Sequence, residues 1–220
     1  IYFRVNKPEL PIYDVRVRRA LCLAVDQQEI LKKFFAGEGE VVGGLVGAYP
    51  EHRSFWTPYE ELSELAKDNF RCDPEKAKKL LAEAGYPNGF KCTVLTGPYT
   101  GYVDMVSLIR DYWAKVGVDM KIDLRESAVA STLLQAHNYD MVMYTVPTTH
   151  ISRMTTVTAG MAWNFSEVND PELNALAEKA RLAFVNPDEQ HKLFKELNVK
   201  TLERFIFMPF PMTNVYTLWW

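Results

Sequence analysis

Two hydrophobic rhythms take turns along this chain, one of helical spacing and one of strict alternation. In "YDVRVRRALCLAVDQQEI", residues 13–30, Val17, Leu21, Ala24 and Val25 repeat at helical spacing behind Asp14, and Asp26 opens a second run that stops at Gly37. "CDPEKAKKLLAEAGYPNGF" carries the clearest helix punctuation: Asp73 as cap, Pro74 at the first helical position and Gly85 after the end. Its buried stripe is Ala77, Leu80, Leu81 and Ala84, with Glu75, Lys78, Lys79 and Glu83 facing water. "FKCTVLTG" reads as a strand, "YVDMVSLIRDYWAKVG" as an amphipathic helix, and "VDMKIDLRE" alternates as a half-buried strand. A helix over "SAVASTLLQAHN" and a strand over "YDMVMYTV" follow.

Between these lie two stretches without a period. Residues 37–61 are dense in Gly and Pro and read as a long loop, with one short strand expected at residues 41–46. Residues 147–163, "PTTHISRMTTVTAGMAW", hold no acidic residue and read as a second long loop. Two helices come next, opened by Asp170 with Pro171 and by Asn186 with Pro187, before the extended segments "IFMPFPM" and "VYTLWW". Residues 1–6 alternate like a strand. Strands separated by single helices favour parallel neighbours with helices on the faces, so one compact α/β domain over residues 1–220 is expected. The apolar ends suggest a piece of a longer protein, cut at strands that continued elsewhere.

Composition narrows the function. Of 220 residues, 48% are hydrophobic and 24% charged, enough apolar matter for a true core. A net charge of -3 gives no basic face for nucleic acid, and no run of 18 apolar residues suggests a membrane span. Cys22, Cys72 and Cys92 have neither CxxC nor metal-ligand spacing, and free thiols are expected. The histidines, His52, His137, His150 and His191, form no helical metal pair, and no cofactor is expected. No GxSxG or GxxxxGK[ST] occurs, and "GEGEVVGG" follows a helix where a nucleotide loop would follow a strand. Glu60 and Glu61 read as a solvated helix face, and of Arg16, Arg18 and Arg19 one is expected to meet an internal acid while the others face water.

Binding is the better-supported chemistry. In open α/β sheets small molecules sit beyond the carboxyl ends of the strands. "CTVLTG" opens into "PYTGY", which sets Thr96, Tyr99 and Tyr102 beside a helix start. "YDMVMYTV", carrying Tyr144, opens into the acid-free loop with His150, Arg153, Trp163 and Asn164. Aromatics, hydroxyls and one cation suit a site that binds by stacking and hydrogen bonding. Phe165, next in line, reads equally well as plain core.

The segment "PIYDVRVRRALCLAVDQQEI" closely resembles "P-x-D-V-R-V-R-x-A-L-x-x-A-I-D-R-x-x-I" of the family 5 extracytoplasmic solute-binding proteins, the peptide, oligopeptide and nickel receptors of ABC importers. "CDPEKAKKLLAEAGYPNGF" is similar to that family's "YDPEKAKALLAEAGYPDGF". "LIRDYWAKVGVDMKIDLRE", "YDMVMYTV", "NFSEVNDPELNALAEKAR" and "NPDEQHKLFKELNVKTLERFIFMPFPM" follow its later motifs in order. The resemblance implies a periplasmic-binding-protein-like lobe (type II, cluster C) with a central mixed sheet flanked by helices, the second lobe of a clamshell whose first lobe lies elsewhere in the parent chain.

It further implies capture without chemistry. A small solute (peptide, sugar or chelate) would be held between the lobes and passed to an ABC permease, outside the cytoplasm and with the parent lipid-anchored. The alternatives are a sensory module of the same fold and, less favoured, an α/β enzyme. Peptide-binding members commonly carry an Asp after the "YDM" strand for the peptide amine, and a basic residue near the position of Thr96. This chain has neither, which argues against a free-amine dipeptide, because a buried ammonium without a partner charge costs several kcal/mol. Arg153 would instead meet an anionic group, and Trp163 with Tyr144 a flat face.

Overall fold

Side-chain caps start the helices where the sequence places them. Asp14, Asp26, Asp73, Asp170 and Asn186 each accept a hydrogen bond from a backbone N–H in the first turn of the helix that follows, and Pro takes the first helical position in three of those five. The computed structural model describes residues 1–47, 52–99, 101–144 and 150–211, with the backbone alone at His150 and Ile151. Its elements run β1 (Tyr2–Phe3), α1 (Val15–Leu23), α2 (Gln27–Phe34), α3 (Pro74–Glu83), β2 (Lys91–Thr96) and α4 (Tyr102–Ala114). They continue with β3 (Asp119–Leu124), α5 (Ser127–Gln135), β4 (Met141–Val142), α6 (His150–Thr155), α7 (Pro171–Leu182) and α8 (Pro187–Glu203).

The sheet order is β1-β4-β2-β3. β2 is parallel to both neighbours, with Val94 opposite Ile122 on one side and Met141 on the other, while β1 joins β4 antiparallel. Both faces are covered, as a parallel sheet requires. Val94, Met120, Met141 and Phe3 point into one core with α1, α3 and α4; Leu95, Val142 and Tyr2 point into a second with residues of α5, α7 and α8. Period two thus delivers alternate residues of one strand to opposite layers.

Two glycines let the parallel strands start side by side. Gly89 and Gly117 both have positive φ, and a Cβ on Gly89 would stand 1.8 Å from the Gly117 carbonyl oxygen. Only glycine permits that approach in that backbone region. The Asp119 N–H then donates to the Phe90 carbonyl at 2.9 Å, setting the register.

Several expectations need correction. Residues 41–46 form no strand; Leu45 is instead pinned by its N–H to Asn198 Oδ1 at 2.8 Å. The first strand covers Tyr2–Phe3 alone, and β4 covers Met141–Val142, extended by the Met143 N–H donating to the Leu95 carbonyl. Residues 147–163 contain α6, which the Thr-rich composition conceals. Glu60 and Glu61 belong to a single 3-10 turn. In the arginine triplet, Arg19 meets the buried Asp68 as expected, but Arg18 is also buried and donates to the carbonyls of Ile12, Tyr13, Arg204 and Phe205. Arg16 pairs with Asp14 at 2.6 Å. The segment after Ile206 is extended, with Phe207 bridging to Tyr2 and the Met208 N–H donating to Ile1 at 2.8 Å. "VYTLWW" lies outside the described residues. The three cysteines are free, Cys22 fully buried.

Candidate ligand-binding site

The connections leaving β2 and β4 depart toward opposite layers. After β2 the chain turns into α4, whose Met105, Val106 and Ile109 pack in the first core, whereas Met154 and Val157 beyond β4 belong to the second. Neighbouring parallel strands whose exits diverge leave a crevice at their carboxyl ends. A shallow recess with a cavity volume of about 10 Å³, open to solvent, lies there. Leu95, Thr96, Gly97 and Tyr99 line it from β2, Val142, Met143 and Tyr144 from β4, and Ala130, Ser131 and Leu134 from α5.

A continuous row of rings runs from this recess. Tyr102 meets Tyr99 edge-on with centroids 5.3 Å apart, Tyr99 meets Tyr144 at 6.3 Å, and Tyr144 meets Phe165 at 5.2 Å. Phe165 in turn touches Trp163 at 5.9 Å and Tyr2 at 5.4 Å. Such edge-to-face contacts fix ring orientation more than plain apolar packing does. Phe165 is the buried hub, while Tyr99, Tyr102, Tyr144 and Trp163 are only partly buried. Burial raises the Tyr144 hydroxyl pKa, with Tyr99 and Tyr102 adding to the effect.

Arg153 reaches the same row through Tyr2. Its guanidinium lies beside the Tyr2 hydroxyl, whose pKa burial pushes up to about 12 against the opposing pull of Arg153. Its Nε is buried without a hydrogen-bond partner. The acids that flank it along the chain are both engaged: Asp140 pairs with Lys7 at 3.4 Å, and Glu167 with His137, Nδ1 and Oε1 2.6 Å apart.

The residues singled out in the sequence therefore divide. Thr96, Tyr99 and Tyr144 line the recess; Tyr102, Trp163 and Arg153 join it through neighbouring rings. Thr96 is buried, and its hydroxyl donates to the Gly97 carbonyl at 3.3 Å. Asn164 faces inward: its amide nitrogen donates to the carbonyls of Thr158 and Val168, and its oxygen accepts from the Val168 N–H. Both ends of that amide thus hold the loop closed. The His150 side chain lies outside the described residues. Sequence reasoning missed Tyr2, whose position in a short edge strand gave no hint of the pairing, and the small residues Ala130 and Ser131 of α5. No group of three or more potential metal ligands occurs among the described residues.

The model of the bacterial extracellular solute-binding proteins, family 5, matches residues 1–200. The chain belongs to this family. Among relatives of this solute-binding family, heme-binding protein A of Haemophilus influenzae is 30% identical over 90% of this chain and 36% of its own length. The dipeptide-binding protein of Escherichia coli is 33% identical over 55% of this chain and 22% of its own. Among solved structures, HbpA2 from Haemophilus parasuis superposes with a TM-score of 0.81 at 24% identity, covering 96% of this chain and 41% of the other. A dipeptide-binding protein from Pseudoalteromonas sp. SM9913, in complex with Met-Leu, gives 0.80 at 21% identity, covering 96% and 42%. The periplasmic-binding-protein fold and the mixed sheet flanked by helices are thereby established. The chain spans about a third of the length of the first of these relatives and about two fifths of the solved structures. No described helix is long and apolar enough to cross a membrane.

Proposed function

We propose that residues 1–220 are one lobe of a two-lobed receptor that captures a small solute outside the cytoplasm and hands it to an ABC permease without chemical change. The observation that carries this reading is the recess at the diverging ends of β2 and β4, walled by Tyr99 and Tyr144 and open on one side. A half-open recess holds a solute only when a second surface closes over it. Closure then works because the solute contacts both lobes and so favours the closed state by its differential affinity.

Tyr99, Tyr102, Tyr144 and Trp163 supply flat partly apolar faces, and Thr96 shapes the floor. Relatives named for heme, dipeptide and glutathione show how varied the solutes of such sheets are, and the absence of any Asp or Glu in residues 141–166 disfavours a free-amine peptide for this one. In the parent, a lipid anchor at the cell surface fits a receptor that must stay close to its permease.

The test is a thermal-shift and calorimetric screen of peptides, glutathione, heme, sugars and metal chelates on the full-length protein. A ligand of micromolar or tighter affinity is expected, with Tyr144→Ala and Trp163→Ala each weakening it about tenfold. The separate lobe, which owns half a cleft, is expected to bind too weakly to detect. Unchanged affinity in both variants removes the aromatic row from the site.

A further inference from the structure

Arg153 combines three features that ordinary structural arginines do not share. Structural arginines in this chain are fully engaged: Arg18 donates to four carbonyls, and Arg204 contacts Asp170, Glu172 and the Lys200 carbonyl. Arg153 has a buried Nε with no partner, makes no ion pair among the described residues, and touches a phenol, Tyr2, that is itself packed against the hub of the aromatic row. A guanidinium is always charged and presents its donors as a planar fork, so a buried edge left open is costly unless something fills it. The surroundings are phenols: Tyr2 directly, then Tyr102, Tyr99 and Tyr144 through ring contacts. Hydroxyls donate to anions, and no carboxylate in residues 141–166 competes for the cation.

We propose that Arg153, seconded by the Tyr2 and Tyr102 hydroxyls, is the anchor for a carboxylate of the captured solute, and that this receptor selects acidic solutes with a planar or apolar body lying along Tyr144 and Trp163. The proposal rests on the receptor reading and adds the charge of the ligand. A fork-to-carboxylate contact fixes orientation as well as energy, which is what a site of otherwise slippery ring faces lacks. It also accounts for the missing acid after β4, because a carboxylate there would neutralise the anchor.

The experiment uses the full-length protein with paired probes: N-acetylated aromatic dipeptides in acid form, the same dipeptides as C-terminal amides, heme as a planar dicarboxylate, and uncharged sugars as references. The acids are expected to bind, their amides about 10- to 100-fold more weakly. Arg153→Gln is expected to erase that preference by weakening the acids alone, and Arg153→Lys, which keeps charge but loses the fork, to restore part of it. The melting temperature of each unliganded variant reports on folding, and Arg153→Lys serves if Arg153→Gln fails to fold. Acids and amides binding alike, with no response to either variant, overturn the anchor while leaving the receptor reading in place. No probe binding the full-length protein overturns both.

Discussion

The Tyr99 ring lies directly over Gly97, so that a methyl group built on Gly97 would stand 2.5 Å from Tyr99 Cε2. Gly97 is not in the left-handed region, and its glycine is required by this close approach alone. Gly97→Ala therefore pushes the ring away rather than straining the backbone. Tyr99 touches both Tyr102 and Tyr144, so the displacement propagates along the row. Solute affinity of the full-length protein should fall about tenfold, with stability changed by less than about 1 kcal/mol. Calorimetry beside urea denaturation separates the two, and an unchanged affinity would detach Tyr99 from the site.

A second relationship ties the layers. Trp113 in α4 is fully buried, and its indole Nε1 donates to the Leu21 carbonyl at 3.0 Å. Leu21 stands in the last turn of α1, where carbonyls lack a partner within the helix. Trp113→Phe keeps most of the apolar contact but leaves that carbonyl buried and unpaired, for a loss of about 1–3 kcal/mol. Trp113→Ala adds a cavity and should cost about 3–5 kcal/mol. Urea unfolding of the two variants should rank them in that order; a Trp113→Phe variant as stable as the wild type would mean the hydrogen bond contributes nothing.

Asp68 is the third test. Its side chain is 1% exposed, with Arg19 at 2.6 Å, Lys76 at 2.8 Å and Arg71 at 3.6 Å. Three cations from α1, α3 and the intervening loop converge on one carboxylate, so Asp68→Asn leaves half-buried positive charges facing each other. A loss of about 3 kcal/mol is expected, since removing one member of a buried pair strands the rest. Asp68→Asn combined with Arg19→Met should recover part of it, and a strictly additive double variant would show that the pair is not coupled.

How much of this was readable beforehand depends on range. Local rules carried the helices: each Asx cap acts within three residues, so Asp14, Asp26, Asp73, Asp170 and Asn186 announced their helices without tertiary help. The parallel pairing of β2 with β3 followed from the single helix between them, whereas β4, one helix after β3, crosses to the far side of β2 through contacts no local pattern announces. Residues 41–46 misled because Val and Leu there look like a strand, whereas partners from distant α8 hold them: Asn198 bonds Leu45, and Leu202 packs beside Val41. Asn164 and Tyr2 show the same limit at the site. An amide beside two aromatics reads as a ligand contact until the loop folds back to occupy both its ends, and a tyrosine in the first strand gains its role only when Arg153 and Phe165 arrive from far along the chain.

Alkaline pH should unfold this protein earlier than its acids and amines alone would suggest. Burial pushes the Cys22 thiol from 9.0 up to about 12, burial does the same to Cys92, and the Tyr2 hydroxyl rises from 10.0 to about 12. In each case the folded state keeps a proton that the unfolded chain releases first. The associated stability is complete below pH 9, begins to fall as the unfolded thiols ionise, and is lost as pH rises toward 12. Each group contributes a slope of about 1.4 kcal/mol per pH unit within its own window, so the two thiols act from about pH 9 and Tyr2 joins from about pH 10. Urea midpoints measured from pH 8 to 11 should therefore decline ever more steeply. Cys22→Ala should start somewhat lower, from its lost core contact, yet decline more gently over the same range. If the wild-type and Cys22→Ala curves run parallel, the buried thiol is not among the groups that titrate on unfolding.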